Sequence, residues 1–186
     1  MDGIKYREAM LSELGHTLLG LDDIQVNTCI MEIMSANRLF FAGAGRAGLM
    51  MKGFAMRLMH MGYICHVVGD VTTPSIGKGD LLLVASGKAE TMTSSYFVDA
   101  AKRAGAKTLV ITANVEGTVA KKADFLLTLT APRFRGDPET EHRSVQPMGN
   151  RFEQSVLLTG DYLVKLIKEK MNLDIHVMYK NHSTLE

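Results

Sequence analysis

Leu39-Phe40-Phe41-Ala42-Gly43-Ala44-Gly45-Arg46-Ala47-Gly48 decides the fold. A short apolar run followed by three closely spaced glycines reads as a buried strand that turns sharply into a helix. The same phrase recurs downstream. The spacing predicts a helix over 46–61 and a second strand over 63–68. A third strand over 80–85 runs into Ser86-Gly87-Lys88-Ala89-Glu90-Thr91. A helix over 92–104 closed by Gly105, a fourth strand over 108–112, a short helix near 116–122 and a fifth strand over 125–129 complete the series. Strands that are apolar throughout and alternate with helices are parallel strands covered on both faces.

Upstream, residues 4–20 show helical spacing at Met10, Leu11, Leu14, Leu18 and Leu19, and Gly20 is placed to stop the helix. Asp22 is a candidate cap for a helix over 23–36, with Ile24, Val26, Ile30, Ile33 and Met34 on its apolar side. Downstream, residues 130–146 form a polar loop with Arg133, Arg135, Asp137, Glu139, Glu141, His142 and Arg143. Long loops in compact domains often serve function. Pro147 suits the first turn of a helix over 148–171, whose apolar side includes Phe152, Val156, Leu157, Leu163, Val164, Leu166 and Ile167. The tail, 172–186, has weak periodicity. The expected organisation is one domain over 1–186, with N-terminal helices in 1–37, a sheet core in 38–130, and a C-terminal helix and tail in 147–186.

The net charge of +1 gives no overall field to draw nucleic acid or an anionic membrane. No stretch has the roughly 18 apolar residues of a membrane span, and no leader is evident. Cys29 and Cys65 stand apart from any metal-ligand spacing, which suggests reduced thiols in a cytoplasmic protein. Five of the 13 Met lie between Met50 and Met61. Such a run fits core packing or a subunit interface.

In a parallel α/β sheet, ligands bind beyond the carboxyl ends of the strands, where the strand order reverses. The segments 43–48 and 86–94 each follow a strand and open a helix. Each therefore offers backbone N–H groups and a positive helix end to an anion. Gly43, Gly45 and Gly48 fit GxGxxG, and Asp70 stands near where a ribose-binding acid would lie, so a nucleotide remains a reading. The second segment carries Ser86, Thr91, Thr93 and Ser94 with one cation, Lys88. That set suits a phosphate monoester, and it equally suits an ordinary helix-capping cluster.

These residues carry a resemblance. The chain resembles the sugar isomerase (SIS) domain family, and within it the 6-phospho-3-hexuloisomerases. The matching stretches are Ala42–Arg46, Phe54–Gly62, Ser86–Ser94 and Gln146–Gln154, with a similar ending at His182–Glu186. The resemblance implies an α/β fold: a single SIS domain, with a five-stranded parallel sheet flanked by helices as a flavodoxin-like three-layer sandwich. It implies a homotetramer with sites near subunit boundaries. It implies interconversion of D-arabino-3-hexulose 6-phosphate and fructose 6-phosphate, without metal or organic cofactor. Glu153 falls on the position of the catalytic base. His182 falls where a histidine completes a neighbouring subunit's site. Gly45, Arg46, Ser86, Gly87, Lys88 and Thr91 become the substrate- and phosphate-binding set.

The chemistry suits a carboxylate such as Glu153. Moving a carbonyl from carbon 3 to carbon 2 requires a proton to be removed beside a carbonyl and returned one carbon away, and one carboxylate can do both through an enediol. Glu153 also fits an ordinary acidic residue at a helix N-terminus. Arg46 could contact the substrate or form an ion pair with Glu90 or another carboxylate. Lys88 could hold phosphate or pair with Glu90 or Glu153. Two departures from the family pattern bear on this. Ala47 and Lys88 stand where the family carries serines, and Ala89 stands where it carries glycine. If position 89 needs a positive φ, its backbone is strained. The leading expectation is an isomerase. The alternative, favoured by the altered loops, is a non-catalytic sensor of a phosphosugar.

Overall fold

The side chains of β1 (Leu39–Gly43) divide between two cores by alternation, with Leu39 and Phe41 facing one and Phe40 and Ala42 the other. β3 (Leu81–Ala85) repeats the pattern. Leu81, Leu83 and Ala85 join the first core, and Leu82 and Val84 the second. In β4 (Lys107–Thr112), Leu109 and Ile111 are separated from Val110 in the same way. Apolar residues on both faces of a strand require helices on both faces of the sheet. The computed structural model, which describes residues 3–132 and 144–185, supplies them.

With β2 (Cys65–Val67) and β5 (Phe125–Thr128), the sheet has the order β2-β1-β3-β4-β5, parallel throughout. From β1 the chain passes through α3 (Gly45–His60) outward to β2. It then returns to β3 and proceeds the other way through α4 (Met92–Arg103) and α5 (Thr118–Lys122) to β5. α3 packs Met51, Phe54 and Leu58 into the first core, with α2 (Asp23–Ser35) and α6 (Asn150–Lys170) beside it. α4 and α5 place Val98, Ala101, Val119 and Ala120 in the second. The order reverses between β1 and β3, so the chain leaves two adjacent strand ends toward opposite faces. A ligand-binding crevice belongs there.

The expected elements form within a few residues of their predicted bounds, and the cap at Asp22 is made. Its carboxylate accepts from the N–H groups of Ile24 at 2.7 Å and Gln25 at 3.1 Å. Several expectations need correction. Pro147 lies outside α6, because Met148 adopts φ +59 and Gly149 caps a helix that begins at Asn150. The tail contains a short helix, α7 (Ile175–Lys180), capped by Asp174. In α1 (Gly3–Leu19), Leu11 and Leu19 are 70% and 90% exposed, and Thr17 is the residue it buries fully. Ile24 and Leu157 also face outward. Periodicity tells which residues share a side but not what covers that side. The methionine run is divided between core and surface, with Met51 and Met61 buried and Met56 and Met59 exposed.

Burial pushes the Cys29 and Cys65 thiols up to about 12. Among the described residues, no helix is long and apolar enough to cross a membrane. The charged residues expected in 133–143 lie outside the described residues.

Candidate active site

The glycines after β1 serve packing. Gly45 takes φ +57, the left-handed turn from strand to helix that favours glycine. Gly43 and Gly48 bring the backbones of β1 and α3 into contact. A Cβ on Gly43 would lie 2.8 Å from the Gly48 nitrogen, and one on Gly48 would meet the Gly43 carbonyl oxygen. The GxGxxG spacing is thus used for helix–strand contact. Asp70 pairs with Lys52 at 3.7 Å and is absent from the cleft lining, so it gives the nucleotide reading no support.

The loop after β3 is built differently. Ser86 is buried, with its hydroxyl 3.3 Å from that of Thr91. Ala89 is buried at φ +54, so the positive φ anticipated at this position is present on an alanine. Glu90 turns to α5, where its carboxylate accepts from the Thr118 N–H at 2.8 Å and the Thr118 hydroxyl at 2.7 Å. Those hydrogen bonds hold its carboxyl below the usual range. Arg46 therefore pairs elsewhere than with Glu90. Its guanidinium lies 2.8 Å from a Glu153 oxygen and also donates to the Asn150 side-chain oxygen.

Between these loops and the start of α6 lies a cleft of about 470 Å³. Gly45 and Arg46 reach it from the start of α3. Ser86, Gly87, Lys88 and Thr91 reach it from the loop into α4, and Glu153 from the first turn of α6. Three helix N-termini therefore converge on one cavity, each bringing a partial positive charge. Two cationic side chains line it, and Glu153 is the one carboxylate among the described lining residues. Phe152 walls it against the second loop, where a Cβ on Gly87 would sit 3.1 Å from the ring. This arrangement can hold a phosphate ester and keeps one half-buried proton acceptor beside it. Among the described residues, no three His, Cys, Asp or Glu side chains are grouped to hold a metal ion.

The start of α6 is fixed from α1. Glu13 accepts from the Ser144 hydroxyl at 2.8 Å, the Val145 N–H at 2.7 Å and the Gln146 amide at 3.2 Å. Arg151 donates to the Thr17 hydroxyl and the Thr130 carbonyl, and Thr17 donates to that carbonyl as well. Glu13, Thr17, Asn150 and Arg151 were not foreseen as site-supporting residues. Glu13 looks in sequence like any polar residue of an amphipathic helix, and its partners lie more than 130 residues away.

His182 is the expected site residue that the chain does not bring to its own cleft. Its ring stacks on His60 with centroids 5.1 Å apart, and Asn181 donates to the His60 carbonyl. His60 ends α3, roughly 22 Å of helix away from Gly45 at 1.5 Å per residue.

Comparison with known proteins adds to this geometry. Residues 32–146 match the family model described as SIS domain. The chain is 35% identical over 190 aligned positions, covering all of both chains, to a 3-hexulose-6-phosphate isomerase of Bacillus subtilis. It is 35% identical to a 3-hexulose-6-phosphate isomerase of Mycobacterium gastri, over 94% of this chain and 86% of that one. A crystal structure of a Methanococcus jannaschii protein, for which a molecular function of 3-hexulose-6-phosphate isomerase was inferred, superposes with a TM-score of 0.83 at 28% identity. It covers 98% of this chain and 99% of that chain.

Proposed function

This chain belongs to the SIS domain family, and we propose that it is a phosphosugar isomerase that interconverts D-arabino-3-hexulose 6-phosphate and fructose 6-phosphate. The observation that carries the reading is the position of Glu153, the one carboxylate among the described lining residues of a cleft formed by three helix N-termini. The names borne by relatives at 35% identity agree with it.

In this reading the phosphate lies against the Ser86–Thr91 loop and the start of α3, with Ser86, Gly87, Thr91 and Gly45 around it. Lys88 supplies an ammonium where the resemblance leads one to expect a serine hydroxyl. Glu153 takes the proton from carbon 2 of the 3-ketose, and the carbon 3 carbonyl becomes the enediol. The same carboxyl then returns the proton to carbon 3, while the hydroxyl proton of oxygen 2 passes to oxygen 3, which becomes the hydroxyl, and oxygen 2 becomes the new carbonyl. Arg46, 2.8 Å from Glu153, offers charge to the oxygen that turns negative on the way. His182 can act only in a cleft other than its own. We assign it to a neighbouring subunit's site in a homotetramer, and we place the protein in the cytoplasm.

The test has two arms. Thermal melts with fructose 6-phosphate, against fructose plus inorganic phosphate, measure binding. Ligand at 100 times its dissociation constant stabilises by about 2.7 kcal/mol. Glu153→Gln removes the base while keeping its shape. Turnover falls by about 10²- to 10⁴-fold, and the melting shift is kept. A wild type that is stabilised by the phosphosugar yet turns over none of it would replace this reading with the sensor reading, which the altered loop at Ala47, Lys88 and Ala89 favours.

A further inference from the structure

Ala89 occupies a backbone conformation that an alanine disfavours, because at positive φ its Cβ crowds the following carbonyl oxygen. It is held there from outside the loop. The Gly87 carbonyl accepts from the Ala113 N–H at 3.1 Å and the Thr112 hydroxyl at 3.2 Å. The Lys88 carbonyl accepts from the Asn114 side-chain amide at 2.9 Å. The Ala89 carbonyl accepts from the Val119 N–H at 2.8 Å. Three successive carbonyls are therefore turned toward one segment, 112–119. Gly117 presses on them so closely that a Cβ there would lie 2.6 Å from both the Ala89 Cβ and the Lys88 oxygen.

In a trans peptide the N–H points opposite to the C=O. Turning these carbonyls toward 112–119 turns the N–H groups of Lys88 and Glu90 away from it, while the Ala89 N–H, on the same peptide as the Lys88 carbonyl, donates to the Ser86 carbonyl at 3.1 Å and closes the turn. No residue of 112–119 lines the cleft, whereas Gly87, Lys88 and Thr91 do. Asn114 is the one side chain of the segment that reaches the middle carbonyl, and it is itself fixed. Its N–H donates to the Thr112 hydroxyl at 3.0 Å, and its side-chain oxygen accepts from the Glu116 N–H at 3.3 Å.

We propose that Asn114 is a positioning residue for the phosphate loop: by holding the Lys88 carbonyl it keeps Ala89 left-handed and the Ser86–Ala89 turn closed, and so keeps the flanking Lys88 and Glu90 amides turned away from 112–119, toward the cleft. The proposal rests on reading Ser86–Thr91 as the loop that holds the phosphate. Asn114 touches no ligand. It acts by fixing the loop's shape before binding, so that affinity is not spent on ordering it.

The test compares the full-length wild type, Asn114→Ala, and Asn114→Ala combined with Ala89→Gly, each titrated with fructose 6-phosphate and followed by melting temperature. Without ligand, Asn114→Ala melts within a few degrees of the wild type. It needs about five- to tenfold more ligand for the same shift, the equivalent of freeing one strained alanine. Adding Ala89→Gly recovers most of that loss, because glycine takes a positive φ at no steric cost. A role confined to overall stability would lower the unliganded melting temperature and would not be rescued at position 89. Asn114→Ser, too short to reach the Lys88 carbonyl, carries the same test if the alanine variant does not fold. An Asn114→Ala protein that binds like the wild type, or a double variant no better than the single, overturns the inference alone. A wild type that shows no shift overturns it together with the functional reading.

Discussion

The two loops that frame the cleft solve one problem in opposite ways. Each leaves a central strand, takes a left-handed residue and enters a helix. After β1 the left-handed residue is Gly45, with nothing within 4 Å of where a Cβ would be, and the loop is closed by its own Gly43–Gly48 contact. After β3 it is Ala89, fully buried and held by hydrogen bonds from Thr112, Ala113, Asn114 and Val119. The first loop carries its conformation in its own sequence. The second borrows it from a segment about 25 residues downstream. A loop that borrows its shape can be retuned by distant substitutions.

The largest effect expected from this contrast is at Gly48. Its Cβ would meet backbone, the Gly43 carbonyl oxygen, and neither partner is a flexible side chain. Gly48→Ala should cost about 3 kcal/mol, at the upper end of ordinary overpacking, and denaturant unfolding would measure it. A loss under 1 kcal/mol would mean that β1 and α3 can separate, and the first loop would no longer count as self-contained. Gly45→Ala is the milder counterpart. There is room for the methyl group, so only the φ of +57 opposes it, and about 1 kcal/mol is expected. If Gly45→Ala proved as costly as Gly48→Ala, the distinction between steric contact and backbone preference in this loop would fail.

The same contrast separates what was legible in the sequence from what was not. The strands could be read because burial on both faces leaves an unbroken apolar run, as in Leu39–Ala42 and Leu81–Ala85. The strand order β2-β1-β3-β4-β5 came from the structure, since periodicity does not say which strands are neighbours. The segments 43–48 and 86–94, with Gly45, Arg46, Ser86, Gly87, Lys88 and Thr91, could be named because each lies between a strand end and a helix start, where the chemistry of a crevice is local, whereas Glu153 was singled out by the resemblance. Glu13 and Asn114 could not be named. Their roles depend on partners that the fold brings from far along the chain, and neither sits in a spacing that implies a contact. Glu90 misled for a related reason. It lies in the most ligand-like stretch of the sequence, but its carboxylate caps α5 through Thr118. The GxGxxG match misled in the other direction, because glycines are required equally by a pyrophosphate and by a helix lying on a strand.

Glu90 also gives the finest test of the contrast, because it ties the second loop to α5 by a bond that titrates. Segment 43–48 has no carboxylate of its own, and the carboxylate that meets it, Glu153, pairs with the Arg46 side chain and not with the loop's backbone. The two bonds from Thr118 favour the ionised form and lower the folded-state pKa below 4.5. A carboxyl with a depressed folded-state pKa contributes its stability above the unfolded value. It loses that stability as the pH falls from about 4.5 through the lower folded-state value, where the unfolded chain binds the proton first. Glu90→Gln keeps one acceptor for Thr118 and removes the charge. Melting temperatures of the two proteins should therefore differ by a small amount at neutral pH, with the variant lower. The gap should close as the pH drops below 4.5, because the wild type is then losing the charge that the variant never had. The group is exposed, so the difference is modest and shrinks with added salt. A gap that stayed constant from neutral pH into strong acid would show that the tie to α5 does not depend on ionisation. The second loop would then be held by its neutral hydrogen bonds alone, with Asn114 as the principal one.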